Sequence, residues 1–203
     1  AAGGADDPGD ALVGRQVEED DPWPLDGGRT IRMDAPLAGF KAEHGCRVWC
    51  DVVRPGLLLY GVVPPLGFTT LALEPVLSLR SRIVAVKNLR AGDSVGYGAR
   101  FTAEMPRRVA VVPAGYTDGI DTRLANRGVV LVRERRVPVV GSVCMDSMML
   151  DVTGLDAAPG DEVVIVGRQG AQELGIREMA ATVGTHPWEL LCRLGPRIVR
   201  EYV

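Results

Sequence analysis

Residues 129–152, Val129-Val130-Leu131-Val132-Arg133-Glu134-Arg135-Arg136-Val137-Pro138-Val139-Val140-Gly141-Ser142-Val143-Cys144-Met145-Asp146-Ser147-Met148-Met149-Leu150-Asp151-Val152, decide the fold. The runs 129–133, 137–143 and 148–152 are short, apolar and valine-rich, and polar or glycine-bearing breaks separate them, which is the pattern of consecutive strands. The same texture extends outward to Leu79–Val86, Ser94–Phe101, Arg108–Val112 and Glu162–Val166. Turn signals fall between these segments at Ala91-Gly92-Asp93, Thr117-Asp118-Gly119, Asn126-Arg127-Gly128 and Pro159-Gly160-Asp161. Many short strands at this spacing predict a mainly β, antiparallel domain of barrel or sandwich type. Toward the end, Ile176, Met179, Ala180 and Val183 recur at i, i+3, i+4 and i+7 and predict a helix. A second short helix is expected to start near Pro187, where proline suits a first turn, and to run through Leu191.

Upstream the reading weakens. Val48-Trp49-Cys50-Asp51-Val52-Val53 reads as a buried strand ending at Arg54-Pro55-Gly56, and a strand that runs into such a turn exposes backbone N–H groups. Leu57–Val63 is a short apolar segment, followed by Pro64-Pro65 and Gly67 as a linker. Residues 1–49 lack a sustained period of 2 or 3.6 and are expected to form an irregular acidic leader, disordered or loosely looped over at least the first 28. The chain also begins without methionine, which points to a fragment or a processed product.

Several function classes are excluded. Residues 1–26 hold eight acids against Arg15, a net −7 within the overall −3, so the remainder carries only +4, too little for a nucleic-acid footprint. No apolar run approaches the roughly 18 residues of a membrane span, and the acidic start is no signal peptide. Cysteines at 46, 50, 144 and 192 form no disulfide framework, so the expected setting is the cytoplasm. His44, Cys46 and Cys50 cluster, but a fourth ligand is lacking and no metal is expected.

Four motifs carry candidate chemistry. In Gly96-Tyr97-Gly98, flanking glycines permit positive φ and leave the Tyr97 phenol unshielded, although a tyrosine packed at a sheet edge would look the same. A free phenol titrates near pKa ~10, so Tyr97 acts as a base only where a positive charge or hydrogen bond favours phenolate. Tyr116, in Gly115-Tyr116-Thr117-Asp118-Gly119, could equally be incidental to a turn, and Met145, in Cys144-Met145-Asp146, could simply be core. Arg54 either forms a structural ion pair or aims a guanidinium at an acceptor in a pocket.

Taken in order, Arg54-Pro55-Gly56, Leu59-Tyr60-Gly61, Tyr97-Gly98, Gly115-Tyr116 with Asp118-Gly119, and Cys144-Met145-Asp146 resemble the alanine racemase family over about residues 50–203. The resemblance implies that residues 50–70 are the end of an α/β barrel with a linker, and that residues 76–203 are the family's C-terminal β-domain. It further implies a pyridoxal 5'-phosphate enzyme that interconverts L- and D-alanine, an isomerase of peptidoglycan-precursor supply, working as a head-to-tail homodimer. In that scheme Tyr97 is the base opposite the cofactor lysine, Tyr116 and the backbone at Met145 meet the substrate, and Arg54 faces the pyridine nitrogen. Gly56 and Leu57 would hold the phosphate through backbone N–H groups. Trp188 stands where the family places a phosphate-contacting tyrosine.

The chain departs from the family at its front. Lys41 and Lys87 are its only lysines, and neither has the context of a cofactor anchor. A fragment or truncated form that supplies the tyrosine and borrows the lysine from a partner barrel is therefore the first reading; a non-catalytic dimerisation or partner-binding module is the alternative.

Overall fold

The computed structural model describes residues 30–31, 52–53, 56–62 and 73–202, and the chain divides into two compact units, residues 1–59 with 63–73 and residues 60–62 with 74–203. In the first unit Thr30–Ile31 (β1) pairs in parallel with Val52–Val53 (β2), Thr30 opposite Val52. Parallel pairing is the mode of α/β units. A 3-10 turn follows over Gly56–Tyr60, entered at Gly56 with φ 52°. The strand expected over 48–53 is thus described only at its last two residues; the His44, Cys46 and Cys50 cluster, Lys41 and Arg54 lie outside the described residues.

The second unit is built from Leu79–Arg82 (β3), Ala85–Leu89 (β4), Ser94–Val95 (β5), Phe101–Thr102 (β6), Arg107–Val112 (β7), Val129–Val132 (β8), Arg135–Val140 (β9), Met148–Asp151 (β10), Glu162–Gln169 (β11) and Gln172–Leu174 (β12). Its helices are Ile176–Val183 (α1) and Pro187–Cys192 (α2), where they were expected. The main sheet runs β12-β11-β8-β9-β10-β7-β4, and β3 also pairs with β11. Every pairing in it is antiparallel.

Only Ile83 and Val84 separate β3 from β4, yet these strands pair at opposite ends of that path. Ile83 N–H donates to the Asp161 carbonyl beside β11, and Val84 N–H donates to Val111 of β7, each at 2.9 Å. One bent segment therefore stitches both ends of the sheet together, and the sheet must curl into a barrel, which leaves few open edges. The single strand expected over Leu79–Val86 is broken at this bend.

Alternation along the strands sorts the core. Ala110 and Val112 of β7, Val137 and Val139 of β9, and Met148 and Leu150 of β10 share the main cluster with Met179, Ala180 and Val183 of α1. Val109, Val140 and Met149, from the opposite faces of the same strands, join Val95 and Phe101 in a separate cluster. That second cluster seats the β5–β6 hairpin on the outer face of β9-β10-β7. Helix α1 ends where Gly184 takes φ 69° and its N–H caps the Ala180 and Ala181 carbonyls. No helix among the described residues is long and apolar enough to cross a membrane.

Candidate functional site

The segment expected as one strand over Ser94–Phe101 is a hairpin. Ser94 pairs with Thr102 and Val95 with Phe101, and the tip turns at Gly96 (φ 74°), Gly98 (φ 72°) and Ala99 (φ 47°). Positive φ at two positions is what the paired glycines supply, and it lifts Tyr97 to the tip with 78% of its surface exposed. The backbone beneath it is fixed. A Cβ at Gly96 would lie 2.9 Å from Met149 Cε, and one at Gly141 would lie 2.7 Å from the Val95 carbonyl oxygen. Ser142 Oγ donates to the Tyr97 carbonyl at 2.8 Å. Asn126 Nδ2 donates to the Arg100 carbonyl at 2.8 Å, and its Oδ1 accepts from Gly141 N–H at 2.7 Å.

Tyr116 sits on a 3-10 turn, Tyr116–Asp118, closed by Gly119 at φ 93°. Its N–H donates to the Cys144 carbonyl and the Thr117 N–H to the Met145 carbonyl, each at 3.0 Å, while Thr117 Oγ1 donates to the same Met145 oxygen at 2.7 Å. The approach is so close that a Cβ on Gly115 would stand 2.4 Å from the Met145 oxygen. Asp118 accepts from Gly115 N–H at 2.9 Å, and Arg197 Nη1 donates to Thr117 Oγ1 at 2.7 Å. The turn is thereby clasped to the Met145 loop on one side and to the C-terminal segment on the other.

Tyr97 and Met145 line one open concavity of about 500 Å³, together with Cys144, Asp146 and Lys87. Tyr116 lines a second of about 250 Å³ with Asp121 and Arg193. The side chains of Tyr97, Tyr116 and Met145 are all substantially exposed. Trp188 lines neither concavity; half exposed on α2, it stacks on His186 with ring centroids 4.3 Å apart and planes 13° from parallel. Gly56 and Leu57 belong to the other unit, at the start of its 3-10 turn.

One charged residue is buried among the described ones. Asp121 accepts from the backbone N–H and guanidinium of Arg123 at 2.7–2.9 Å and from Arg193 at the end of α2. The Arg123 side-chain hydrogen bonds lower its pKa to about 2, against a smaller upward push from burial.

Sequence reasoning gave no role to Asn126, Ser142 or Thr117: Asn126 and Thr117 were legible only within the turns Asn126-Arg127-Gly128 and Thr117-Asp118-Gly119, and Ser142 only within the valine-rich run 137–143. Gly56 and Leu57, in one unit, carry backbone N–H groups, and Trp188, in the other, an indole N–H, donors of the kind a phosphate accepts from. Lys87, the one lysine among the described residues, is an exposed residue of β4 paired opposite Val109. The chain's own described residues therefore do not complete a cofactor site.

The family model for the alanine racemase C-terminal domain matches residues 76–202. The alanine racemase of Halothermothrix orenii is 37% identical over 88% of this chain and 48% of its own length. Since residues 50–203 are about three-quarters of the chain, that similarity reaches upstream of residue 50. The crystal structure of alanine racemase from E. faecalis superposes with a TM-score of 0.74 at 33% identity, covering 81% of this chain and 44% of that one. The Bartonella henselae alanine racemase, solved with covalently bound pyridoxal phosphate, gives 0.69 at 33% identity over 76% of this chain and 42% of its own. The chain spans about half the length of the relatives it matches, and it belongs to the alanine racemase C-terminal domain family.

Proposed function

We propose that this chain supplies the tyrosine half of an alanine racemase active site and takes its cofactor lysine from a barrel outside residues 1–203. The supporting observation is the placement of Tyr97: an exposed phenol on a hairpin whose backbone is anchored from two neighbouring loops, beside Met145 in one concavity. A base that must reach a proton on a substrate held by another body needs this combination of projection and rigidity.

In this reading Tyr97 Oη accepts the α-proton of one alanine enantiomer, or returns one to the opposite face of the other. Pyridoxal phosphate, when bound, supplies the electron withdrawal that acidifies that C–H. The Met145 backbone and Tyr116 orient the substrate carboxylate, and the clasp of Thr117 on the Met145 carbonyl fixes that loop. Arg54, Gly56, Leu57 and Trp188 are assigned to the cofactor by resemblance: the arginine at the ring nitrogen, the others at the phosphate. A homodimer packed head to tail, or a barrel-bearing partner chain, brings the two halves together in the cytoplasm.

The decisive experiment combines the chain with a lysine-bearing racemase barrel and follows conversion of L- to D-alanine. Tyr97→Phe is expected to abolish racemisation while leaving cofactor absorbance unchanged. Full activity in Tyr97→Phe would sink the reading. The exposed Tyr97, Tyr116 and Met145 side chains would then favour a non-catalytic dimerisation module.

A further inference from the structure

We infer that Asn126 is the positioning residue for Tyr97, acting as a two-point latch between the tyrosine hairpin and the Met145 loop. Three segments far apart in sequence meet at this one carboxamide: its own turn after Asp121, the hairpin at Arg100, and the loop at Gly141. Gly141 N–H can only donate and the Arg100 carbonyl can only accept, so the amide must present Oδ1 to the first and Nδ2 to the second. A side chain carrying both a donor and an acceptor on one short stem is required, and aspartate offers only the acceptor half.

The backbone at the site supports the same residue. Asn126 has φ 56°, a conformation that asparagine tolerates better than most residues. Its turn is held by bonds of its own: the Asp121 carboxylate caps Arg123 N–H, and the N–H groups of Arg127 and Gly128 both donate to the Leu124 carbonyl. From that fixed base the side chain holds the hairpin one residue past the Tyr97–Ala99 tip. Ser142 holds the same tip through the Tyr97 carbonyl. Since Ser142 follows Gly141, the latch and the serine tie both flanks of the tip to a single loop, the one that continues to Met145. Tyr97 and the Met145 loop are thus spaced by one side chain that lines neither concavity.

The role of Tyr97 as base rests on the function proposed above; the latch does not. Asn126→Gly separates them cleanly, because glycine keeps positive φ and removes both bonds. Amide hydrogen exchange across residues 94–102 of the full chain is the primary measurement. Asn126→Gly should speed exchange in this hairpin about tenfold with the β7 and β10 amides unchanged, as expected for loss of two hydrogen bonds in part-exposed surroundings. Asn126→Asp, keeping the bond to Gly141 alone, should fall between. Unchanged exchange in Asn126→Gly overturns the latch. In the assembly with a lysine-bearing barrel, Asn126→Gly should lower kcat several-fold with KM held. Faster exchange with unaltered kcat overturns the positioning role, and a wild-type assembly that fails to racemise alanine counts against the proposed function while leaving the exchange result to decide the latch.

Discussion

Neutralising Asp121 should destabilise the β-domain by about 2 kcal/mol at neutral pH, and that difference should fade in acid. The magnitude comes from its pKa, lowered from 3.8 to about 2, at about 1.36 kcal/mol per unit. The side chain of Asp121 is only 2% exposed, but Arg123 and Arg193 are 43% and 42% exposed, so solvent screens the pair and about 2 kcal/mol is an upper figure. The sign follows from proton uptake. The folded carboxyl holds its proton less tightly than the unfolded one, so the unfolded chain binds more protons between about pH 4 and pH 2. The contribution is complete above the unfolded pKa and is lost as pH falls through the folded one. Urea denaturation of the wild type and Asp121→Asn at steps from pH 7 to pH 2.5 measures it. Asp161 and Glu162, held below their usual range chiefly by hydrogen bonds from Arg133 and Arg80 respectively, lose stability in both proteins and cancel in the difference. A gap between the two proteins that stays constant down to pH 2.5 would show that the carboxylate charge is not the source.

Gly141→Ala should lower stability by about 1–3 kcal/mol, since it adds a Cβ 2.7 Å from the Val95 oxygen at φ 73°; a thermal melt within a degree of wild type would contradict this. Met148→Ala empties a fully buried site between β9 and β7 and should cost about 2–5 kcal/mol by urea denaturation. Arg136→Ala removes a pair with Glu178 and a bond to the Glu173 carbonyl, but its guanidinium is 42% exposed and screened by solvent, so its urea midpoint should move far less than that of Met148→Ala.

What the sequence disclosed depended on whether a feature was local. Valine-rich runs such as Val137–Val140 and Val163–Val166 read as strands because their burial follows directly from composition and period. The bend at Ile83-Val84 was invisible, because both residues are as apolar as the Ala85-Val86 that follows and only the pairing partners on either side reveal that the strand changes direction. Gln172–Leu174 passed unnoticed with Leu174 as its single apolar residue, since it pairs only as the return of β11. Gly96 and Gly98 announced positive φ on either side of Tyr97, yet the expectation of one strand from Ser94 to Phe101 overlooked that two such residues in three must reverse the chain. Valine-rich texture likewise carried the expected strand past Val140 to Val143, whereas Gly141 at φ 73° ends it.

The meeting of Tyr97 with Met145 is a tertiary fact with no local trace, and it exposes how the candidate site is held. None of its three exposed side chains lies on a strand of the barrel; each projects from a turn whose backbone is captured by another turn. The 115–119 turn is the shared element. It donates to the Cys144 and Met145 carbonyls, while a Cβ on Gly119 would stand 2.5 Å from the Arg193 carbonyl oxygen and Arg197 reaches Thr117. Thr117 Oγ1 therefore accepts from Arg197 and donates its own O–H to the Met145 carbonyl, a continuous chain of hydrogen bonds from the C-terminal segment to the loop beside Tyr97. Arginine enforces that direction: a guanidinium cannot accept, so the hydroxyl hydrogen is left for the Met145 carbonyl. Changes at Arg197 should consequently register at Met145 before they register in the barrel core, because the core cluster contains neither residue.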